Sequence, residues 1–348
     1  MKIKSFALLL TAFVPAYYLL TPPVSDKPSI PSDLRDAVAD GAIGDLPAGS
    51  SAASILPDVP EPMPGEVLPD DGKSIYGADD RLDYFEAPAD KKALAESVVS
   101  LWSSRWVKFE TGKAKLFTAS LQNAMGLCPG QRFGDQPVGA FCSGTLVGED
   151  LVMTAGHCIT DEAKCADTKL VFGFAVKAAG KYPNSVPQGD VYTCKKIIKR
   201  DLTDGFLASL FHNYASGGPG PDYAVIQLDR KVTGRKPLPI NKGGKVSVGD
   251  PLFVIGHPVG LPVKVAGSAK VRDTKAKYFY LADLDTFGGN SGSAVFNART
   301  SLIEGILVRG DRDFEPGPAG CNITTTMPQN GGRGEAVTKI SAVEKYIP

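Results

Sequence analysis

Thr154-Ala155-Gly156-His157-Cys158 and Gly289-Asn290-Ser291-Gly292-Ser293 are the two runs on which the reading of this chain turns. The first sets an imidazole on a bend that follows an apolar, strand-like run, Leu151–Thr154. The second sets a hydroxyl among glycines, which let backbone N–H groups turn toward a reacting oxygen. A hydroxyl is a weak nucleophile until a neighbouring base takes its proton. A serine and a histidine, each held in a specialised turn, therefore point to acyl transfer. A carboxylate would complete the set by fixing the imidazole tautomer and stabilising the imidazolium. Asp222 opens Asp222-Tyr223-Ala224-Val225-Ile226-Gln227-Leu228, an apolar run able to bury it beside a core. Asp201, Asp204 and Asp229 precede no such run.

Taken together, these runs resemble a chymotrypsin-fold, trypsin-like serine endopeptidase, and the Gly-Asn-Ser form is most similar to the bacterial glutamyl-endopeptidase branch. The chain order His157, Asp222, Ser291 is the order of that family. The resemblance covers about residues 95–348. It implies an all-β fold of two six-stranded antiparallel β-barrels, meeting between Asp229 and Pro251, with a short C-terminal helix over Ser341–Ile347. It also implies that His157, Asp222 and Ser291 are catalytic and that the N–H groups of Gly289 and Ser291 form the oxyanion hole. A disulfide between Cys142 and Cys158 around the histidine loop belongs to the same resemblance. Cys128, Cys165, Cys194 and Cys321 then allow three pairings, of which Cys165–Cys194 with Cys128–Cys321 is favoured.

The pattern beyond about residue 93 agrees with an all-β reading, since short apolar runs alternate with Gly, Pro and Asp clusters. Candidate strands are Ser97–Trp102, Phe141–Val147, Leu151–Thr154, Leu170–Val176, Val191–Lys196, Tyr223–Leu228, Leu252–Ile255, Tyr278–Leu281, Ser293–Phe296 and Ile303–Val308.

Substrate selection is less legible. Asp285 lies six residues before Ser291, where trypsin-like relatives hold a carboxylate for Lys or Arg side chains. Thr286 matches the glutamyl-endopeptidase branch, but Leu307 replaces the histidine which that branch uses. Arg309 falls where relatives build the pocket wall and could attract an acidic side chain or neutralise Asp285. Three readings stay open: a basic preference, an acidic preference, and an Asp285 paired for structural reasons. Asn290 stands where trypsin carries an aspartate that receives a freshly cut amino terminus, and a neutral amide cannot form that ion pair.

The 348 residues carry zero net formal charge, which gives no electrostatic case for nucleic acid or an anionic membrane surface. The six cysteines form no Cys-x-x-Cys pair and have no histidine at ligand spacing, so neither zinc nor any other metal or cofactor is expected. Asp79-Asp80 lacks the ligand spacing of a calcium loop. Their even number suits disulfides formed outside the cytoplasm. Lys2 and Lys4 ahead of the apolar run from Phe6 predict a signal peptide over residues 1–16, with an uncleaved anchor as the alternative. Residues 17–73, rich in Pro, Ala and acidic side chains, predict a disordered prosegment or linker. Ser74-Ile75-Tyr76-Gly77-Ala78-Asp79-Asp80-Arg81 resembles the start of mature glutamyl-endopeptidase-type enzymes, which implies a cut after Lys73. Residues 74–348 are then the protease domain. The expected product is a monomer, secreted or periplasmic, acting on polypeptides without stable membrane insertion. Of the remaining histidines, His212 reads as a loop residue and His257 as a strand end. The rivals are a catalytically idle homologue that binds or adheres, and a Deg-type protease, whose added peptide-binding domain has no counterpart after the second barrel. No Gly-x-x-x-x-Gly-Lys-(Ser/Thr) loop supports nucleotide chemistry.

Overall fold

The computed structural model describes residues 73–202, 220–310 and 312–348. The expected signal peptide, the expected prosegment except Lys73, and His212 lie outside the described residues. Twelve strands carry the architecture. The first six are β1 (Val98–Ser103), β2 (Cys142–Leu146), β3 (Leu151–Thr154), β4 (Thr168–Phe172), β5 (Val191–Leu202) and β6 (Asp222–Leu228). They close as a barrel in the order β4-β5-β6-β3-β2-β1, every pair antiparallel. The second six are β7 (Pro251–Gly256), β8 (Lys264–Asp273), β9 (Phe279–Ala282), β10 (Ala294–Asn297), β11 (Ile303–Arg309) and β12 (Glu335–Lys339). They run β7-β10-β11-β12-β9-β8 and close through a further β7–β8 pairing. Closure removes the free edges that antiparallel sheets otherwise expose.

The interiors follow from the strand sequences. β6 is buried along its length except at Gln227, because the barrel core covers one face and neighbouring elements cover the other. Leu101, Leu146, Val152, Leu170 and Ile226 fill the first barrel, and the same cluster continues into Phe253, Ile255, Phe296 and Ile306 of the second. Leu252, Val254, Tyr280, Val295, Leu307 and Val337 form a separate cluster inside the second barrel. Three disulfides pin the whole: Cys142–Cys158, Cys165–Cys194 and Cys128–Cys321. All three are the pairings favoured above.

Two features depart from expectation. β8 and β12 were absent from the strand candidates, and both build the second barrel. The expected terminal helix is instead two 3₁₀ turns, Ile340–Ala342 and Glu344–Tyr346. Their N–H groups reach three residues back, as in Tyr346 N to Val343 O at 2.9 Å and Ile347 N to Glu344 O at 3.1 Å. A segment this short gains little from α-helical nucleation, and the tighter winding lets Val343 and Ile347 both reach the core.

A strap precedes the first barrel but belongs to the second. Ile75–Tyr76 pairs in parallel with Thr326–Met327, and Leu82–Asp83 adds to β8. Lys264 on β8, itself buried, holds Asp83 at 2.7 Å and donates to Gln136 Oε1 at 2.8 Å. Buried Arg81 lies 3.9 Å from the ring centre of Phe287 and clasps Asp79. Among the described residues no helix is long and apolar enough to cross a membrane.

Candidate active site

The β6–β3 register sets the first half of the site. Ala224 lies opposite Thr154 and Ile226 opposite Val152. Two residues further along each antiparallel strand, Asp222 comes to face Gly156. The Gly156 N–H donates to Asp222 Oδ1 at 2.6 Å, and the His157 N–H donates to the same oxygen at 3.2 Å. Oδ2 meets His157 Nδ1 at 2.8 Å. Asp222 is buried while the imidazole keeps an exposed edge, its side chain 21% accessible. Burial alone would raise the Asp222 carboxyl. The hydrogen bond and charge of His157, with the Arg309 guanidinium, outweigh it and hold the group below the usual carboxylate range.

Ser291 is carried on the turn that leads into β10. Gly289 (φ 72°) and Gly292 (φ 90°) take left-handed conformations there. A Cβ on Gly292 would lie 2.1 Å from Ser143 O and 2.3 Å from Thr154 Oγ1, so only glycine lets the turn rest on the histidine strand. Ser143 of β2 rivets the turn to the first barrel. Its N–H donates to Ser291 O at 2.9 Å, its hydroxyl donates to Gly289 O at 2.8 Å, and it accepts from His257 N at 2.9 Å. Around Ser291, the N–H groups of Asn290, Gly292 and Ser293 are taken by the carbonyls of Phe287, Leu307 and Asn290. Those of Gly289 and Ser291 have no acceptor among the described residues.

Among the described residues, Ser291 Oγ makes no hydrogen bond to His157. It donates to Val308 O at 3.4 Å and accepts from the Lys73 ammonium at 3.1 Å. Lys73 was not foreseen here.

The residues expected to select substrate are dispersed. Asp285 turns to the strap, where its two oxygens accept from Tyr76 N at 2.8 Å and Asp80 N at 3.0 Å. That is the structural pairing left open above. Burial drives its carboxyl upward, and the charges of Asp80 and Asp79 add to the rise. Arg309 reaches back to Asp222, with Nη2 3.5 Å from Oδ2, so it neither crosses to Asp285 nor stands free. Thr286 donates to Glu335 Oε2 at 3.0 Å. Glu335, fully buried at the start of β12, also accepts the Ser74 N–H, and sequence reasoning missed it. Burial comes first in raising its carboxyl, and Asp313 adds to the rise against the pull of Lys73. His257 is buried, stacks on Phe174, and gives Nδ1 to Leu261 O at 2.9 Å. Burial lowers its pKa to about 3, so it stands as a neutral core residue. The sulfurs of Cys142 and Cys158 lie near His157, but they are bonded to each other and offer no thiolate to a metal.

The model of the family described as "Trypsin-like peptidase domain" matches residues 142–305, from the start of β2 to the middle of β11. Residues 142–305 are thus similar to a trypsin-like peptidase domain. Two glutamyl endopeptidases of Staphylococcus aureus are similar to this chain. That of strain MRSA252 is 27% identical over 183 residues, covering 49% of this chain and 43% of the relative. That of strain MW2 is 29% identical over 182 residues, covering 49% and 47%. The match thus spans less than half the length of either relative. Among solved structures, a Glu endopeptidase in complex with MPD aligns at a TM-score of 0.43 and 15% identity, covering 78% of this chain and 96% of that one. The strap and β12 fall outside the matched residues.

Proposed function

We propose that this protein is a serine endopeptidase in which Ser291 attacks a peptide carbonyl, His157 moves the proton, and Asp222 holds the imidazole. The observation that carries the reading is the Asp222 carboxylate. It fixes the backbone of the histidine loop through one oxygen and the imidazole Nδ1 through the other. That arrangement leaves Nε2 to face the cleft as a base and makes the imidazolium favourable once it forms.

In the first step the Ser291 oxygen bonds to the carbonyl carbon while its proton passes to His157. The negative charge that builds on the carbonyl oxygen would be met by the unengaged N–H groups of Gly289 and Ser291. Loss of one such donor typically costs about 3–4 kcal/mol of transition-state stabilisation. The proton then passes from His157 to the departing amine, and water releases the acyl group by the same route in reverse. Three disulfides and the basic, then apolar, amino terminus support an exported protein acting in an oxidising compartment.

One observation favours the idle homologue, namely that Lys73 stands at Ser291 where a substrate should be. A fluorophosphonate or sulfonyl-fluoride probe separates the two readings. Covalent labelling at Ser291, lost in Ser291→Ala and in His157→Ala, is the expected result. A chain that stays unlabelled after removal of residues 1–73 would sink the enzymatic reading.

A further inference from the structure

Lys73 and Ser74 are both fully buried. The Lys73 ammonium donates to Ser291 Oγ at 3.1 Å, its one hydrogen-bond partner among the described residues. The neighbouring backbone is held on several sides. Lys73 N–H donates to Asp313, Ser74 N–H to Glu335 Oε1 at 3.2 Å, and Ser74 Oγ to Arg312 O at 3.2 Å. Thr286 N reaches Ser74 O at 3.4 Å, and the Ile75–Tyr76 pairing begins at the next residue. Lys73 is therefore threaded into the site by its backbone, with its charged end on the nucleophile.

The contact is chemically incompatible with attack. The ammonium takes a lone pair of Ser291 Oγ, and the hydroxyl proton points to Val308 O instead of the imidazole. A buried ammonium whose one hydrogen-bond partner is a neutral oxygen is also poorly compensated for the water it gave up. Asp313 and Glu335 attract it at longer range. Such a contact is held by the chain on which it sits more than by its own energy, so it opens once that chain is freed.

We propose that Lys73 is a latch: in the uncut chain its ammonium caps Ser291, and hydrolysis of the Lys73–Ser74 bond releases it. This rests on the serine-peptidase reading above. Hydrolysis adds one water across the amide. Lys73 leaves with the new carboxylate, and Ser74 keeps the amine, which takes up a proton beside Glu335 Oε1. Beside that ammonium the Glu335 carboxyl of β12 gives up the proton it holds in the uncut chain, and the carboxylate then supplies the negative charge that Asn290 lacks. Because both residues are buried, the bond is out of reach while the latch is closed, so the strap must lift before a peptidase can cut it.

The test follows fluorophosphonate labelling of Ser291 in the intact chain, with mass spectrometry confirming that residues 1–73 are still attached. Lys73→Met should label roughly tenfold faster or more than the intact wild type, and the wild type cut after Lys73 should match that rate. Equal rates for the two intact chains, both labelled at Ser291, would overturn the latch and leave the peptidase reading standing. No labelling in any form, cut chain included, would overturn both. A second measurement needs no variant. Brief acetylation of the folded, uncut wild type should spare Lys73 while modifying Lys275, whose side chain is 93% exposed. Acetylation of Lys73 as complete as that of Lys275 would also overturn the latch.

Discussion

The guanidinium of Arg309 stands 3.5 Å from Asp222 Oδ2, the same oxygen that meets His157 Nδ1. A second cation on that carboxylate opposes formation of the imidazolium. Arg309→Gln should therefore favour the imidazolium that forms during attack and raise kcat roughly threefold with KM unchanged, the effect of one charge at a few ångströms under strong screening. An unchanged kcat with an altered KM would assign Arg309 to substrate instead. Gly289 makes the opposite kind of demand, on the backbone. A Cβ there would lie 2.9 Å from both Gly260 N and His257 O, at a φ of 72°. Gly289→Ala should lower stability by about 1–3 kcal/mol in urea unfolding and slow acylation by roughly 10²–10³. The sequence made His157, Asp222 and Ser291 legible because each sits in a run whose backbone shape its neighbours dictate. Asp285 and Arg309 were not legible in the same way. Their role depends on which partner the side chain finds, and the partners, Tyr76 and Asp222, lie far away in sequence.

At the scale of elements, β12 gathers the least expected chemistry. Glu335 is buried against Ser74, Thr286 and Tyr76, and burial raises its carboxyl above the ordinary 4.5. The folded state thus holds a proton that the unfolded chain gives up. Stability from this group is complete below pH 4.5 and is lost as pH climbs into the neutral range. Glu335→Gln mimics the protonated form, so in the uncut chain it should melt like wild type near pH 4 and above it near pH 8. Parallel melting curves at both pH values would refute a raised carboxyl. β12 escaped sequence reading because Glu335-Ala336-Val337-Thr338-Lys339 is short and charged at both ends. β8 escaped for another reason. Gly267 and Ser268, the latter at φ 59°, interrupt its alternation, and the register to β7 shifts nearby, so no period of two runs unbroken. The ten other barrel strands carry apolar runs that read correctly to within a few residues, except that β5 continues to Leu202 along β6.

For the whole molecule, the cleft between barrels is set by contacts that cross it. Ser143 belongs to the first barrel and holds the Gly289–Ser291 turn of the second, while Thr338 of β12 donates to Asp222 O at 3.0 Å. The strap, Lys264–Asp83 included, closes the second barrel's outer side. The all-β class was legible because short apolar runs alternate with turn residues, whereas the barrel count came with the family resemblance, ten of the twelve strands reading as such. The strap's destination was not legible, since it depends on pairing with residues about 250 positions later. The long-range cross-link can be tested directly. Cys128 and Cys321 are 193 residues apart, and the double variant Cys128→Ser/Cys321→Ser should lose about 2–5 kcal/mol in urea unfolding.

That same bond has a consequence for how damage would show. Cys142–Cys158 and Cys165–Cys194 both close within the amino-terminal barrel, so Cys128–Cys321 alone ties the two barrels covalently apart from the main chain. A chain nicked anywhere between Cys194 and Cys321 would migrate as one species on a gel until a reductant parted the fragments.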